Sequence, residues 1–315
     1  MSILVRTTGT APAAVVAFAV VAFALWTVAA IAAPAPLSAE EPGNMTPGKP
    51  APGKREPVNV EPGKREPERR EIGRSVEGRP IEAFRFGPAP GEEAEATLLL
   101  YGGIHGGYEW NTVVLTRRLI SHFSSGDNGP PEGIRLYIIP VVNPDGLYAV
   151  TGGRPMDGVD FSSRPIEQGR LNANGVDLNR NWDNRWEPVA DWRSREVDAG
   201  DRPFSEPETR ALRDFVLETG PDLIISYHSA ANGIYYAGKR EQWEPALRYA
   251  RRYSTASGYP IPESSLVGYR ITGASTGFFY GKGIPAMVIE LAGRSGPEFE
   301  ENLAGVRAVL ELLNL

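Results

Sequence analysis

The chain has no cysteine in its 315 residues and only three histidines. Without cysteine there is no disulfide framework, no thiolate nucleophile, no thiolate-ligated metal and no lipobox, so stability must come from packing and from any ion held by nitrogen and oxygen. A Lys/Arg-rich stripe is also missing. The 33 basic residues are interspersed with 39 acidic ones, giving a formal net charge of -6, and this pattern argues against nucleic-acid binding.

What is present suits one enzyme-sized domain with appendages, since 41% apolar content over this length can bury a sizeable core. Arg6 precedes an uncharged, mostly apolar run over 11–33, which ends in small residues and prolines before Glu40 and Glu41. Residues 1–39 are therefore expected to be an export signal, with candidate cleavage sites at 30–32 and on to Ala39. The run is also long enough for a membrane-spanning anchor. Either way the remainder is exported, with membrane association possible through this segment. Residues 40–71 shift to Pro, Gly, Lys, Arg and Glu, and Pro-Gly-Lys-Arg-Glu-Pro occurs at 52–57 and again at 62–67. Such a segment buries no apolar area and is expected to be an extended spacer. Binding of anionic wall polymers is the functional alternative, against which its balanced charges speak. The compact domain is expected over 72–315.

Within it, strand-like apolar runs at 81–86, 97–101, 134–142, 223–227 and 286–291 alternate with helical patterns at 109–123, 206–218, 241–257 and 297–312. Ser205 and Glu208 have capping-box spacing, which marks a helix start. Alternation of this kind implies an α/β fold, a sheet with helices on both faces, in which ligands bind beyond the carboxyl ends of the strands.

Two of the three histidines, His105 and His228, follow or end such runs, and Glu109 is the sole acid between Glu95 and Asp127. Two imidazoles and a carboxylate form the set with which a catalytic zinc is held while a fourth position stays open for water. A hydrogen-bonded core histidine is the plain alternative for either one alone. His122, near the end of the 109–123 helix, reads as a surface residue, a cation being favoured near a helix C-terminus.

The order of motifs over nearly the whole domain resembles the zinc metallocarboxypeptidases, the carboxypeptidase A-like enzymes. It runs from Ile72-Gly73-Arg74-Ser75 through Gly102-Gly103-Ile104-His105, Asn143-Pro144-Asp145-Gly146 and the stretch Gly169 to Asn181, and closes after His228 with Tyr269 and Gly283 to Leu291. The chain is most similar to bacterial members, including those that trim murein peptides. The resemblance implies a mixed central sheet with helices on both faces, and one zinc per domain on His105, Glu109 and His228. It implies Glu290 as general base, Arg170 as the arginine facing the oxyanion, and Asn179 with Arg180 as the grip on a terminal carboxylate. Arg154 and Arg164 compete for the place of Arg170. Asp177 matches an acid that orients the first zinc-bound histidine, with a turn residue as the competing reading. Tyr269 matches a mobile tyrosine that covers substrate, with a core aromatic as its alternative, and Thr276 falls near the floor of the specificity pocket. Asn143 to Gly146 reads as a structural turn. One departure stands out: three residues separate His105 from Glu109 where the family usually has two, and Gly106 and Gly107 could absorb the extra one.

These implications point to a monomeric zinc exopeptidase acting on a peptide or cell-wall peptide. A neutral residue at 276 disfavours strict Lys/Arg specificity. A zinc-dependent N-acyl amino acid deacylase, resembling aspartoacylase or succinylglutamate desuccinylase, is the alternative enzyme; a metal-free wall-binding module is the non-enzymatic one.

Overall fold

The computed structural model describes residues 66–154, 166–193, 195–236, 244–262 and 270–315. The expected export segment, most of the expected spacer, Arg164 and Tyr269 lie outside the described residues, and among those described no helix is long and apolar enough to cross a membrane.

Nine strands and six α-helices are described, with β1 at Glu68–Arg74, β2 at Pro80–Phe86, β3 at Ala96–Tyr101, α1 at Trp110–Phe123, β4 at Ile134–Ile139, α2 at Pro144–Thr151, β5 at Val189–Trp192 and β6 at Arg195–Asp198. There follow α3 at Pro207–Thr219, β7 at Leu223–Ser229, β8 at Gly233–Tyr236, α4 at Glu244–Ser257, α5 at Ser275–Gly281, β9 at Ala286–Leu291 and α6 at Phe299–Leu313. Seven strands form one mixed sheet in the order β1-β2-β4-β3-β7-β9-β8. The inner four are parallel, while the pairings β1–β2, β2–β4 and β8–β9 are antiparallel. A separate hairpin pairs β5 with β6.

Side-chain alternation in β3 shows why the sheet needs cover on both faces. Leu98 and Leu100 join Leu115, Leu119, Tyr253 and Val306 from α1, α4 and α6, whereas Leu99 and Tyr101 join Trp182, Leu212, Phe215 and Phe279 on the other face. Successive residues of a strand point to opposite sides, so a wholly apolar strand is stable only when buried twice. The mixed sheet with helices on both faces matches the expected fold class.

The structure corrects the expected elements at several points. The first described strand begins at Glu68, inside the segment expected as spacer, because the charges there pair across the edge: Arg69 with Glu82, Arg85 with Glu68, and Arg70 with Glu218 of α3. The strand expected to reach 142 stops at Ile139, since Pro140 has no N–H to donate to the ladder. The Ser205 capping box is not formed. Pro207 occupies the first helical position, Glu206 is the N-cap, Ser205 donates its hydroxyl to Glu206, and the Glu208 carboxylate accepts from Val76 N and the Asn172 amide. The expected turn at 143–146 is the start of α2, with Asn143 Oδ1 accepting from Gly146 N at 2.8 Å.

Asn181 ties the loop before the β5–β6 hairpin to α3. Its buried amide donates to Ala199 O, Arg202 O and Ser205 Oγ, and its carbonyl accepts from Glu206 N and the Thr209 hydroxyl. Removing such a group leaves several buried partners unsatisfied. Asn181→Ala is expected to lower unfolding free energy by about 2 kcal/mol or more, measured by urea denaturation; a change below about 0.5 kcal/mol, the range of ordinary surface substitutions, would contradict this role.

Candidate metal centre and active site

The carboxyl end of β3 delivers the first two candidate ligands. Past Gly102 and Gly103 the chain reaches His105 and closes one 3-10 turn, Gly106–Glu109, before α1 begins. Two glycines permit that turn. Gly106 has φ +44°, and a Cβ on Gly107 would lie 2.5 Å from Val150 of α2. The turn returns the Glu109 carboxylate to its own histidine, with Oε1 2.9 Å from His105 Nδ1. The extra residue between the two is accommodated in this way. From β7, His228 brings its Nδ1 to 3.2 Å from Glu109 Oε2, and the two imidazole centroids are 5.0 Å apart.

One candidate ligand atom from each of His105, Glu109 and His228 lies within 4.8 Å of the other two, and all three residues are buried. Glu109 Oε2 has no hydrogen-bond partner although it is shielded from water. An orphaned carboxylate oxygen facing two imidazoles is the donor set of a three-ligand zinc site, so the residues present fit a zinc ion. Burial works against the Glu109 charge, but the two imidazoles hold its carboxyl well below the usual range. Burial likewise works to lower the His228 pKa, and the Glu109 carboxylate reverses this and raises it.

Behind His105, Asp177 is fully buried with Oδ1 3.3 Å from Nε2. Burial would raise its carboxyl, but Arg170 and His105 hold it well below the ordinary value. Arg170 donates Nε and Nη2 to Asp177 Oδ2 at 3.0 and 2.7 Å, and its guanidinium lies over Trp192 of β5, 4.3 Å from the ring centroid. Asn143 donates its amide to Leu171 O and fixes the chain beside Arg170. Of the competing arginines, Arg154 is exposed at the end of α2.

Arg180 is not an open fork. It is buried, donating Nε and Nη2 to Asp191 O in β5 and Nη1 to Asn179 O. Asn179 accepts at Oδ1 from Ser275 N and Oγ, which sets it against the start of α5, where Thr276 is buried. Glu290 on β9 is the Cα partner of His228 across the parallel ladder. Burial pushes its carboxyl up, and the His228 charge opposes that. His122 is apart from the site, its Nε2 2.9 Å from Arg307 of α6.

Several residues around the site carry no motif in the sequence. Tyr108, Trp192, Ser275 and Arg294 reach it through tertiary contacts; the one available signal was adjacency, as Tyr108 precedes Glu109 and Arg294 follows Glu290 by four.

A family model described as zinc carboxypeptidase matches residues 64–295. Murein peptide amidase A of Escherichia coli (strain K12) is 33% identical over 151 residues, 45% of this chain and 52% of that protein. Carboxypeptidase B of Astacus astacus is 30% identical over 140 residues, 42% of this chain and 45% of that protein. The chain thus spans about half the length of these curated relatives. Among solved structures, bovine thrombin-activatable fibrinolysis inhibitor, in complex with tick carboxypeptidase inhibitor, aligns with a TM-score of 0.63 at 22% identity, over 79% of this chain and 90% of that one. That likeness is one of fold. With a His-Glu-His site at the carboxyl ends of the sheet and a family match over most of its length, the chain belongs to the zinc carboxypeptidase family.

Proposed function

We propose that the chain is an exported, zinc-dependent exopeptidase that hydrolyses the C-terminal amide bond of a peptide or murein peptide. The observation that carries this reading is the pairing of His228 with Glu290, which aligns a base with the His105, Glu109 and His228 ligand set. Zinc bound there supplies a Lewis acid for the scissile carbonyl and lowers the pKa of water in the site. Glu290 takes a proton from that water and hands it to the leaving nitrogen, a role suited to a carboxyl that burial has pushed up. Asp177 holds the His105 ring, and Arg170, with two donors committed to Asp177, offers Nη1 to the developing oxyanion. Asn179 and Arg180 grip the terminal carboxylate of the leaving residue above Thr276. For Arg180 this means giving up its hydrogen bonds to Asp191 O, so substrate entry displaces the β5–β6 hairpin backbone. Tyr269 serves as the cover over bound substrate. Similarity to a murein peptide amidase favours a wall peptide, and we propose that the enzyme acts as an extracytoplasmic monomer.

The test is mass spectrometry of peptides and murein peptides incubated with the zinc-loaded full chain. Release of a C-terminal unit is expected; cleavage of N-acyl amino acids alone would instead favour the deacylase. In the same assay Glu290→Gln should lower kcat by roughly 10²–10⁴-fold with zinc content unchanged by elemental analysis, and an active variant would sink the mechanism. Asp177→Asn should weaken zinc affinity by about 10–100-fold in competition with a chelating dye; unaltered affinity would remove Asp177 from the orienting role.

A further inference from the structure

Arg294 has no part in the reaction as derived. It lies four residues after Glu290, half-buried, and its charge is felt by the Glu290 carboxyl. Its Nη2 donates to Ser229 O at 2.7 Å, one residue past His228, and its guanidinium covers the Tyr108 ring at 4.4 Å from the centroid. Its Nε is shielded from water and has no hydrogen-bond partner. Among the described residues it forms no ion pair, in contrast to Arg170, which has Asp177.

The loop holds this group firmly. The Glu298 carboxylate accepts from Ala292 N and Gly293 N, each at 3.0 Å, and Tyr259 donates its hydroxyl to the same carboxylate. Asn111, fully buried in α1, donates its amide to Gly293 O and Gly296 O and accepts from Ser229 Oγ. The backbone that carries Arg294 and the residue that receives its Nη2 are thus fastened to one side chain. A partly desolvated guanidinium with no direct ion pair and an unpartnered Nε is less favourable than one that an anion completes, and a fixed fork suits a carboxylate.

Contacts also order the cationic groups. Arg170 reaches Asp177, in whose field Arg180 also stands, and its guanidinium lies 5.6 Å from the Tyr108 centroid, the ring that Arg294 covers. In this chain of contacts Arg180, beside Asn179 and α5, stands on the Asp177 side of Arg170 and Arg294 on the Tyr108 side. If the leaving residue occupies the Arg180 end, the acyl portion extends towards Arg294.

We propose that Arg294 is a specificity-determining residue that receives a carboxylate on the substrate residue preceding the scissile bond, so that an acidic residue is preferred there over its amide. This rests on the exopeptidase reading for the direction of the substrate. Binding is measured by calorimetry on the zinc-loaded full chain carrying Glu290→Gln, with two peptides that differ only by Glu or Gln before the C-terminal residue. The Glu peptide is expected to bind roughly tenfold or more tightly. Adding Arg294→Gln should bring it to the level of the Gln peptide, and Arg294→Lys should keep part of the difference. A preference that survives Arg294→Gln, an equal loss on both peptides, the absence of any preference, or no binding of either peptide would each overturn the assignment. Turnover by the chain with Glu290 intact reports separately on the reaction: no hydrolysis alongside an Arg294-dependent preference would remove the exopeptidase reading and leave anion recognition standing.

Discussion

The Glu109 carboxylate, lodged between the Nδ1 atoms of His105 and His228, is the interaction on which the rest of the site depends. A buried carboxylate is costly unless positive or hydrogen-bonding partners surround it, and each partner here comes from a different strand end. His105 in turn faces Asp177, Asp177 binds Arg170, and Arg170 stacks on Trp192 of the β5–β6 hairpin. Polar contacts therefore run from the centre of the sheet to a hairpin that the sheet does not include.

That hairpin has a double attachment to the chemistry. Trp192 lies against Arg170 and Tyr108, while the carbonyl of Asp191 occupies Arg180. Arg170 and Arg180 are thus covered by the same short element, which gives the exposed hairpin a reason to be ordered beyond its own pairing.

Much of the fold was legible because its inner strands are unbroken apolar runs, and a residue at the end of such a run is placed by the run itself. His105, His228 and Glu290 could be located in that way. β1 could not, because an edge strand whose side chains form surface ion pairs has the composition of a solvated spacer. Nor could α5, a short helix of Gly and aromatics held by the packing of Phe278 and Phe279 against Trp182. The Ser205 capping signal failed because Pro207 and the demands of Val76 and Asn172 on Glu208 prevailed over local spacing. Trp192 gave no signal and Arg294 only its closeness in sequence to Glu290, since both are placed by tertiary contacts.

The parallel pairing of β7 with β9 has a consequence for how this chain tolerates change in length. Side chains in a strand alternate with a period of two, so a single inserted or deleted residue in β9 would set Ile289 or Leu291 opposite His228 and turn the carboxylate of Glu290 through the sheet to the face covered by α1, α4 and α6. The register of His228 against Glu290 is thus fixed by the peptide ladder itself. Length variation is tolerated best in loops, while within these two strands one indel is enough to part Glu290 from His228 with the sheet still in place.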